Sequence, residues 1–306
     1  MLPAFLTAIL FSCSTISAGR SATLIGSTPA NFYRLIVAIF CLALYAHWLG
    51  QGWLGKGLFI FLMSGAVGIG IGDLLSFHAL SRVGPSLTSL LVQCLCAPFA
   101  ALIEWGWLGN ALTSQQIGGS GVILAGSALA MFAKVTGSNQ ASSLNWRSRL
   151  VVVGVALAAL AALAQALGAV MTRKANELNL VNGIGIDGMS AAYQRMCGAI
   201  VLVAVIYVYV QFLGSKAEPA KVSIRNNFRE AAPWIVVNGL SGMVFGIACF
   251  QWALKEMPAA IALSIVALTP LLVIPLDWFI NQTRPSVLSV AGGVIAVLGV
   301  LILLWS

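Results

Sequence analysis

The chain alternates between long apolar stretches and short polar connections. Stretches without a charged residue cover 35–51, 58–71, 83–103 and 235–254. A helix needs about 20 mainly apolar residues to span the hydrocarbon core of a bilayer. The stretches are uninterrupted, whereas the strands of a membrane β-barrel would alternate apolar and polar positions. The pattern therefore predicts an all-α integral membrane protein.

Ten transmembrane helices are predicted, in two groups of five. Their approximate boundaries are 3–19, 31–50, 57–80, 85–105, 115–133, 151–171, 190–212, 233–254, 259–280 and 286–305. A segment rich in Ser, Thr, Asn and Gln separates the groups and marks the strongest change of composition along the chain. We therefore expect a first five-helix repeat over 1–134, a polar linker over 135–148 and a second five-helix repeat over 149–306.

The two groups of helices share a sequence pattern. Residues 78–84 align with residues 252–258, and at the same offset Gly68 and Gly72 fall on Gly242 and Gly246. Because each group has an odd number of spans, the second group enters the membrane upside down relative to the first. The sequence therefore predicts two inverted-topology repeats, an arrangement typical of secondary transporters.

Composition narrows the function further. The 306 residues are 60% hydrophobic and 8% charged, with a mean hydropathy of +0.98, whereas a soluble domain has roughly 25% charged residues. The net charge of +8 is spread over short connections, so no nucleic-acid partner is predicted. The six cysteines lie in apolar runs without a metal-ligand spacing, and no nucleophile–base cluster or phosphate-binding loop is present. We expect no disulfide, no metal, no cofactor and no enzymatic activity.

The order of several motifs carries a family resemblance. The residues concerned are Arg34 and Arg195 near the start of the second helix of each repeat, Ala79-Leu80 and Ala253-Leu254 after the glycine-rich third helix, Pro98 and Pro270, Glu104-Trp105 and Asp277-Trp278, and the glycines 118–119 and 292–293. Over almost the whole chain this order resembles the drug/metabolite transporter (DMT) superfamily, in particular ten-span EamA-type transporters.

The resemblance implies export or exchange of small metabolites, with amino-acid-like compounds favoured, by alternating access through a central cavity between the repeats. The implied partners are the lipid bilayer and a small-molecule substrate, with protons as a candidate coupling ion. A multidrug exporter and an intramembrane lipid-handling protein, such as a flippase-like carrier of lipid-linked compounds, remain alternatives. The chain is expected to act as a monomer or as a homodimer, with Gly292 and Gly299 as a candidate dimer face.

Charge distribution predicts an orientation in the cell membrane. The face that carries both ends of the chain has four Lys and Arg residues, and the opposite face has ten. By the positive-inside rule the linker 135–148 then lies in the cytoplasm and both termini lie outside. Typical members of the resembled family have the opposite arrangement, and we give the charge count more weight.

Asp73 is the main ionisable candidate within the predicted spans. An ionisable group at the bilayer centre costs about 2.5–3.5 kcal/mol on insertion scales, so it needs a partner or a function. Two roles stay open: Asp73 binds a proton or a cationic substrate group, or it forms a structural ion pair with Arg34. Glu104 and Asp277 are expected near span ends, where water or headgroups solvate them.

The remaining candidate residues fall into three groups. Substrate contacts or interhelical hydrogen bonds are expected from Gln93, Gln165, Gln194, Gln251 and Trp252. Interfacial anchors, or gates at the two mouths, are expected from Arg34, Arg195, Tyr33 and Tyr193. Close helix packing is expected at Gly68, Gly72, Gly242 and Gly246, because small residues four positions apart share one helix face.

Overall fold

A computed structural model describes residues 1–136, 149–212, 224–281 and 286–305, and these residues form helices joined by short connections, without a strand. The helices of the first repeat are α1 (Leu2–Ile25), α2 (Ser27–Trp48), α3 (Leu58–Gly65), a π-helical segment (Ala66–Ile71), α4 (Gly72–Leu108) and α5 (Ser114–Thr136). Those of the second repeat are α6 (Arg149–Val181), α7 (Gly188–Phe212), α8 (Ile224–Asn238), a second π-helical segment (Gly239–Gly246), α9 (Ile247–Glu256), α10 (Ala259–Val266), α11 (Thr269–Asn281) and α12 (Val287–Leu304).

Each of the ten predicted spans coincides with helical structure, which confirms the predicted fold class. Within the described ranges, nine helices are long and apolar enough to cross a membrane. The fifth predicted span, 115–133, lies within the helix Ser114–Thr136, which is not among the nine. Its first turns contain Ser114, two glutamines and three glycines, which lower its hydropathy. Of the predicted linker, residues 137–148 lie outside the described residues.

The third and fourth spans are joined by a sharp reversal at Gly84, which divides α4. Gly84 has φ of 81°, a value that glycine adopts without the clash that a β-carbon would cause. The equivalent reversal in the second repeat is made by extended Met257 and by Pro258, which precedes α10. The aligned sequences 78–84 and 252–258 therefore mark the same structural turn.

The repeats pack crosswise, since the third helix of each contacts the second helix of the other. A β-carbon built on Gly65 would overlap the backbone carbonyl of Arg195, and one built on Gly239 would lie 3.1 Å from the carbonyl oxygen of Arg34. A π-helical segment follows or contains each of these glycines. The two contacts are related by the inverted symmetry that the sequence predicts.

The third helices also reach the first helix of the opposite repeat, through polar groups. The hydroxyl of Ser64 donates to the carbonyl of Gly168 on α6, at 2.9 Å. The hydroxyl of Ser14 on α1 donates to the side-chain oxygen of Asn238, at 2.6 Å. Beside these bonds the predicted packing glycines face the same two helices: Gly68 and Gly72 lie against α6, and Gly242 and Gly246 lie against α1.

The last helix of each repeat, α5 and α12, forms a close pair of small residues. A β-carbon on Gly126 would meet the backbone of Gly292 and Ala296, and one on Gly299 would meet the backbone of Gly119. Large side chains of α12, including Val294 and Leu301, point outward instead. Gly292 and Gly299, the candidate dimer face, are thus covered within the chain itself.

Candidate functional site

The bundle has two ends, which we name by their connections. Face A holds the connections 49–57, 109–113, 182–187 and 257–258, and face B holds the reversals at Gly26 and Gly84. Two groups of polar contacts between the repeats lie near face A, and an arginine–aspartate pair lies toward face B.

Toward face B, Arg34 and Asp73 form an ion pair within the first repeat. The Nη2 atom of Arg34 lies 3.3 Å from Oδ2 of Asp73, and both side chains are mostly enclosed. Arg34 Nε also donates to Asn31 Oδ1 at 2.7 Å. Asp73 lies two residues past the first π-helical segment, so the shape of this segment influences where the carboxylate meets α2. The structure thus brings together the two residues whose pairing the sequence suggested.

Arg195, the counterpart of Arg34, has a different environment. The residue is 4% exposed, and its Nε has no hydrogen-bond partner among the described residues. In the described part of the chain no carboxylate pairs with it. Its Nη2 lies 3.1 Å from where a β-carbon on Gly68 would stand. The expectation that Arg195 snorkels to the interface is therefore wrong, because the π-helical segment crosses α7 here and encloses the guanidinium.

Near face A, Glu104 joins the two repeats. Its Oε1 lies 2.6 Å from Nε of Arg173 on α6, and its Oε2 accepts the backbone N–H of Ala259, at 2.8 Å, at the start of α10. Arg173 also donates to the backbone carbonyl of Met257. The expectation that Glu104 is solvated at a span end is wrong: it is 2% exposed, because α6 and α10 pack over the end of α4.

The connection 49–57 of the first repeat is held by side chains of the second. The amide nitrogen of Gln194 donates to the carbonyl oxygens of Gly52 and Leu54, at 2.9 and 3.0 Å. Asn179 accepts the backbone N–H of Gly57 at 2.8 Å. Gln194 is fully buried, so its NH₂ group is used in fixing this connection.

Tyr193 belongs to an aromatic cluster on the same face. Its hydroxyl lies 3.0 Å from Nε2 of His47, and its ring meets that of Trp53 edge-on with centroids 5.1 Å apart. Tyr33 lies toward face B, where its ring contacts that of Phe228 on α8, with centroids 5.2 Å apart. Both tyrosines therefore contact the opposite repeat.

Four of the predicted substrate contacts lie in three different settings. Gln251 is buried, and neither its Oε1 nor its Nε2 has a hydrogen-bond partner among the described residues. Gln165 is half-buried beside Gly72, with its Oε1 3.6 Å from Cys96 Sγ. Gln93 is half-buried on α4. Trp252 is exposed and donates to Glu256, so it lies on the outside of the bundle near face A.

Sequence reasoning missed the role of Glu104, Arg173 and Asn179. The predicted sixth span ended at residue 171, whereas α6 continues to Val181. The polar residues 172–179 resemble a connection in composition, yet Thr172, Asn176 and Asn179 are buried in the helix. The available signal for the Glu104–Arg173 pair was that both residues lie near the ends of predicted spans, the fourth and the sixth, on the same side of the membrane.

Comparison with known proteins adds a family and a fold. The family model described as EamA-like transporter family matches residues 1–132 and 152–305. No curated protein matches the chain. One solved structure, described only as the crystal structure of a protein, aligns with a TM-score of 0.72 and 16% identity, covering 99% of this chain and 95% of its own. At that identity the similarity concerns the fold alone.

Proposed function

Since the chain belongs to the EamA-like transporter family, we propose that it is a secondary transporter of small metabolites, with amino-acid-like compounds as the favoured substrates. The crosswise packing of the two inverted repeats carries this proposal. Gly65 against Arg195 and Gly239 against Arg34 let two helices of opposite repeats meet with almost no side chain between them. Smooth contacts of this kind allow one repeat to rock against the other around a central site, as alternating access requires.

We assign the closing of face A to the polar contacts between the repeats. Glu104 with Arg173, and Gln194 with the connection 49–57, are broken when this mouth opens and restored when it closes. The π-helical segments lie between these contacts and the centre of the bundle. Such segments are rare in proteins and are frequent at functional sites.

Asp73 is the proposed proton-binding residue. A proton on its carboxylate removes the charge that holds Arg34 at 3.3 Å and frees the second helix of the first repeat to move. The position of Asp73 is occupied by Ile247 in the second repeat. Protonation of Asp73 therefore acts on the first repeat and not on its symmetry-related copy.

The proposed organisation follows the sequence. The repeats occupy 1–134 and 149–306, the linker 135–148 lies in the cytoplasm, and both termini lie outside a cell membrane that the chain crosses repeatedly. Gln251 supplies substrate hydrogen bonds, because a buried amide without partners gains from a polar ligand. Gln93 and Gln165 are proposed to line the route between the repeats.

Transport into proteoliposomes tests this function. Labelled amino acids, organic acids and cationic dyes are offered with and without a pH gradient to the wild-type chain, to Asp73→Asn and to Glu177→Gln. Glu177 is the comparison acid, since its ion pair with Lys174 is exposed and lies away from Arg34. We expect uptake of an amino-acid-like compound that follows the gradient, is retained in Glu177→Gln and loses its gradient dependence in Asp73→Asn.

Three results would count against parts of this proposal. Full gradient-driven uptake by a well-folded Asp73→Asn variant removes the proton role of Asp73. Uptake confined to cationic dyes favours a multidrug exporter, and movement of labelled lipids alone favours a lipid carrier. Absence of any specific uptake contradicts the transport function itself.

A further inference from the structure

The inverted symmetry of the chain is broken at one charged position. Arg34 and Arg195 occupy equivalent places on α2 and α7, and each lies beside the third helix that crosses it. Arg34 has Asp73 as counter-ion. The place equivalent to Asp73 is taken by Ile247, which is buried in the same apolar cluster as Met196 next to Arg195. One arginine is neutralised and the other is not.

The unpaired arginine is also the more deeply enclosed of the two. Arg34 is partly exposed, whereas Arg195 is buried. Removing a charged group from water is strongly unfavourable unless a counter-charge compensates it. Within the described ranges Arg195 has neither a carboxylate nor a hydrogen-bond acceptor. A buried cation in this state lacks the anion that would stabilise it.

Backbone atoms of small residues lie close to the guanidinium. Its Nη2 atom faces Gly68, and a β-carbon there would also stand 3.3 Å from the Cα of Gly168 and 3.7 Å from the carbonyl of Ala164. The group thus lies where the first π-helical segment, α6 and α7 meet, and two of its neighbours are glycines. Arg195 is about two turns, or roughly 10 Å, along α7 from face A.

We propose that Arg195 is the anion-binding residue of the transport site and holds an oxyanion carried by the transported molecule. This inference rests on the proposed transport function, because the anion must enter and leave between the repeats. The guanidinium offers a planar pair of N–H donors that matches the two oxygens of a carboxylate or two oxygens of a phosphate. Its position inside the helix bundle favours a soluble solute over a lipid headgroup.

Binding to the purified chain in detergent tests the proposal independently of transport. The probes are the L-amino acids and small dicarboxylates, each amino acid paired with its uncharged C-terminal amide, together with inorganic phosphate and phosphatidylglycerol. Isothermal titration gives the Kd, and ligand-induced stabilisation gives a second reading. The variants are Arg195→Gln and Arg195→Lys, compared with the unaltered chain.

A second pair of variants alters the charge without touching the arginine. Ile247→Asp places a carboxylate at the position equivalent to Asp73, in the apolar cluster that also contains Met196, and we expect it to compete with the anion for Arg195. In Ile247→Asn the new side chain is nearly the same size as aspartate but carries no charge, so this variant controls for the lost apolar packing. This pair keeps the test decisive if Arg195→Gln does not fold.

We expect at least one carboxylate to bind the wild type, its amide to bind much more weakly, and Arg195→Gln to weaken the Kd by about ten- to hundredfold. Arg195→Lys should show a smaller loss, and Ile247→Asp a far larger loss than Ile247→Asn. Phosphate binding with the same dependence on Arg195 also supports an oxyanion site and identifies the other solute class.

Other outcomes overturn the inference. These are binding of no small anion, equal anion binding by wild type and Arg195→Gln, or stabilisation by phosphatidylglycerol alone. Arg195-independent uptake of a solute without an anionic group refutes the anion site and leaves the transport function standing. Arg195-dependent anion binding by a chain that transports nothing supports the site and contradicts the transport function.

Discussion

Glu104 should make one of the larger single contributions to stability on face A. Replacing it with Gln keeps an oxygen for the N–H of Ala259 but removes the charge that faces Arg173 at 2.6 Å. Replacing it with Ala removes both contacts. The two substitutions therefore separate the ion pair from the hydrogen bond at the start of α10.

The expected losses follow from burial. Breaking a buried ion pair from one side costs about 3–5 kcal/mol. Because Arg173 keeps 16% of its side chain exposed, we expect Glu104→Gln to cost less than most such changes, about 2–3 kcal/mol. Losing the acceptor at a helix start adds about 1 kcal/mol, so Glu104→Ala should cost about 3–4 kcal/mol. Arg173→Met should cost at least as much as Glu104→Gln, because it leaves the 2%-exposed carboxylate unpaired.

Equilibrium unfolding in mixed micelles, followed by tryptophan fluorescence as the denaturing detergent is increased, measures these free energies. Glu177→Gln is the matched control: its pair with Lys174 has side chains 40% and 36% exposed, and we expect a loss under about 0.5 kcal/mol. The double variant Glu104→Gln/Arg173→Met should lose less free energy of unfolding than the two single variants together, by about 1–3 kcal/mol. If Glu104→Gln costs no more than Glu177→Gln, or the losses are additive, the ion pair does not hold face A.

Three further changes test other parts of the structure. Gly65→Ala forces a β-carbon into the carbonyl of Arg195 and should cost about 3 kcal/mol or more. Gly118→Ala is the control, because Gly118 has open space around it, and it should be tolerated. Similar yields of folded protein from both variants, measured by size-exclusion chromatography, would contradict the crosswise contact. Gln194→Leu removes the donor to the carbonyls of buried Gly52 and of Leu54 and should lower the free energy of unfolding by about 1–3 kcal/mol, against almost no change for exposed Gln115→Leu. An N-terminal reporter should be reached by a membrane-impermeant reagent added outside cells, and protection there would refute the charge-based orientation.

The spans and the repeats could be predicted because they depend on patterns within short stretches of the sequence. Apolar runs of span length identify the helices, and recurring motifs such as 78–84 and 252–258 identify the inverted copies. The pairing of Arg34 with Asp73 was also within reach, since a carboxylate inside a span demands a partner and few cations are available there. These inferences need no knowledge of which distant helices touch.

The environment of individual polar residues was much harder to predict. Arg195 and Arg34 look equivalent in sequence, and only the helix crossing at Gly65 and Gly68 shows that one of them is enclosed without a partner. Gln194 looks like a substrate contact until the connection 49–57 is seen to fold onto it. Glu104 becomes buried because α10 begins directly against it. Each outcome depends on contacts between segments far apart in the chain.

The crosswise packing has a consequence for how the chain is assembled. The third helix of each repeat presents its glycine face to the other repeat, so a half inserted alone would leave that face open to lipid or to a wrong partner. Two halves made as separate polypeptides should then complement each other only when they enter the membrane in opposite orientations. Joining them in one chain fixes both their ratio and their relative direction, and the basic residues that orient one half thereby decide the insertion of the other.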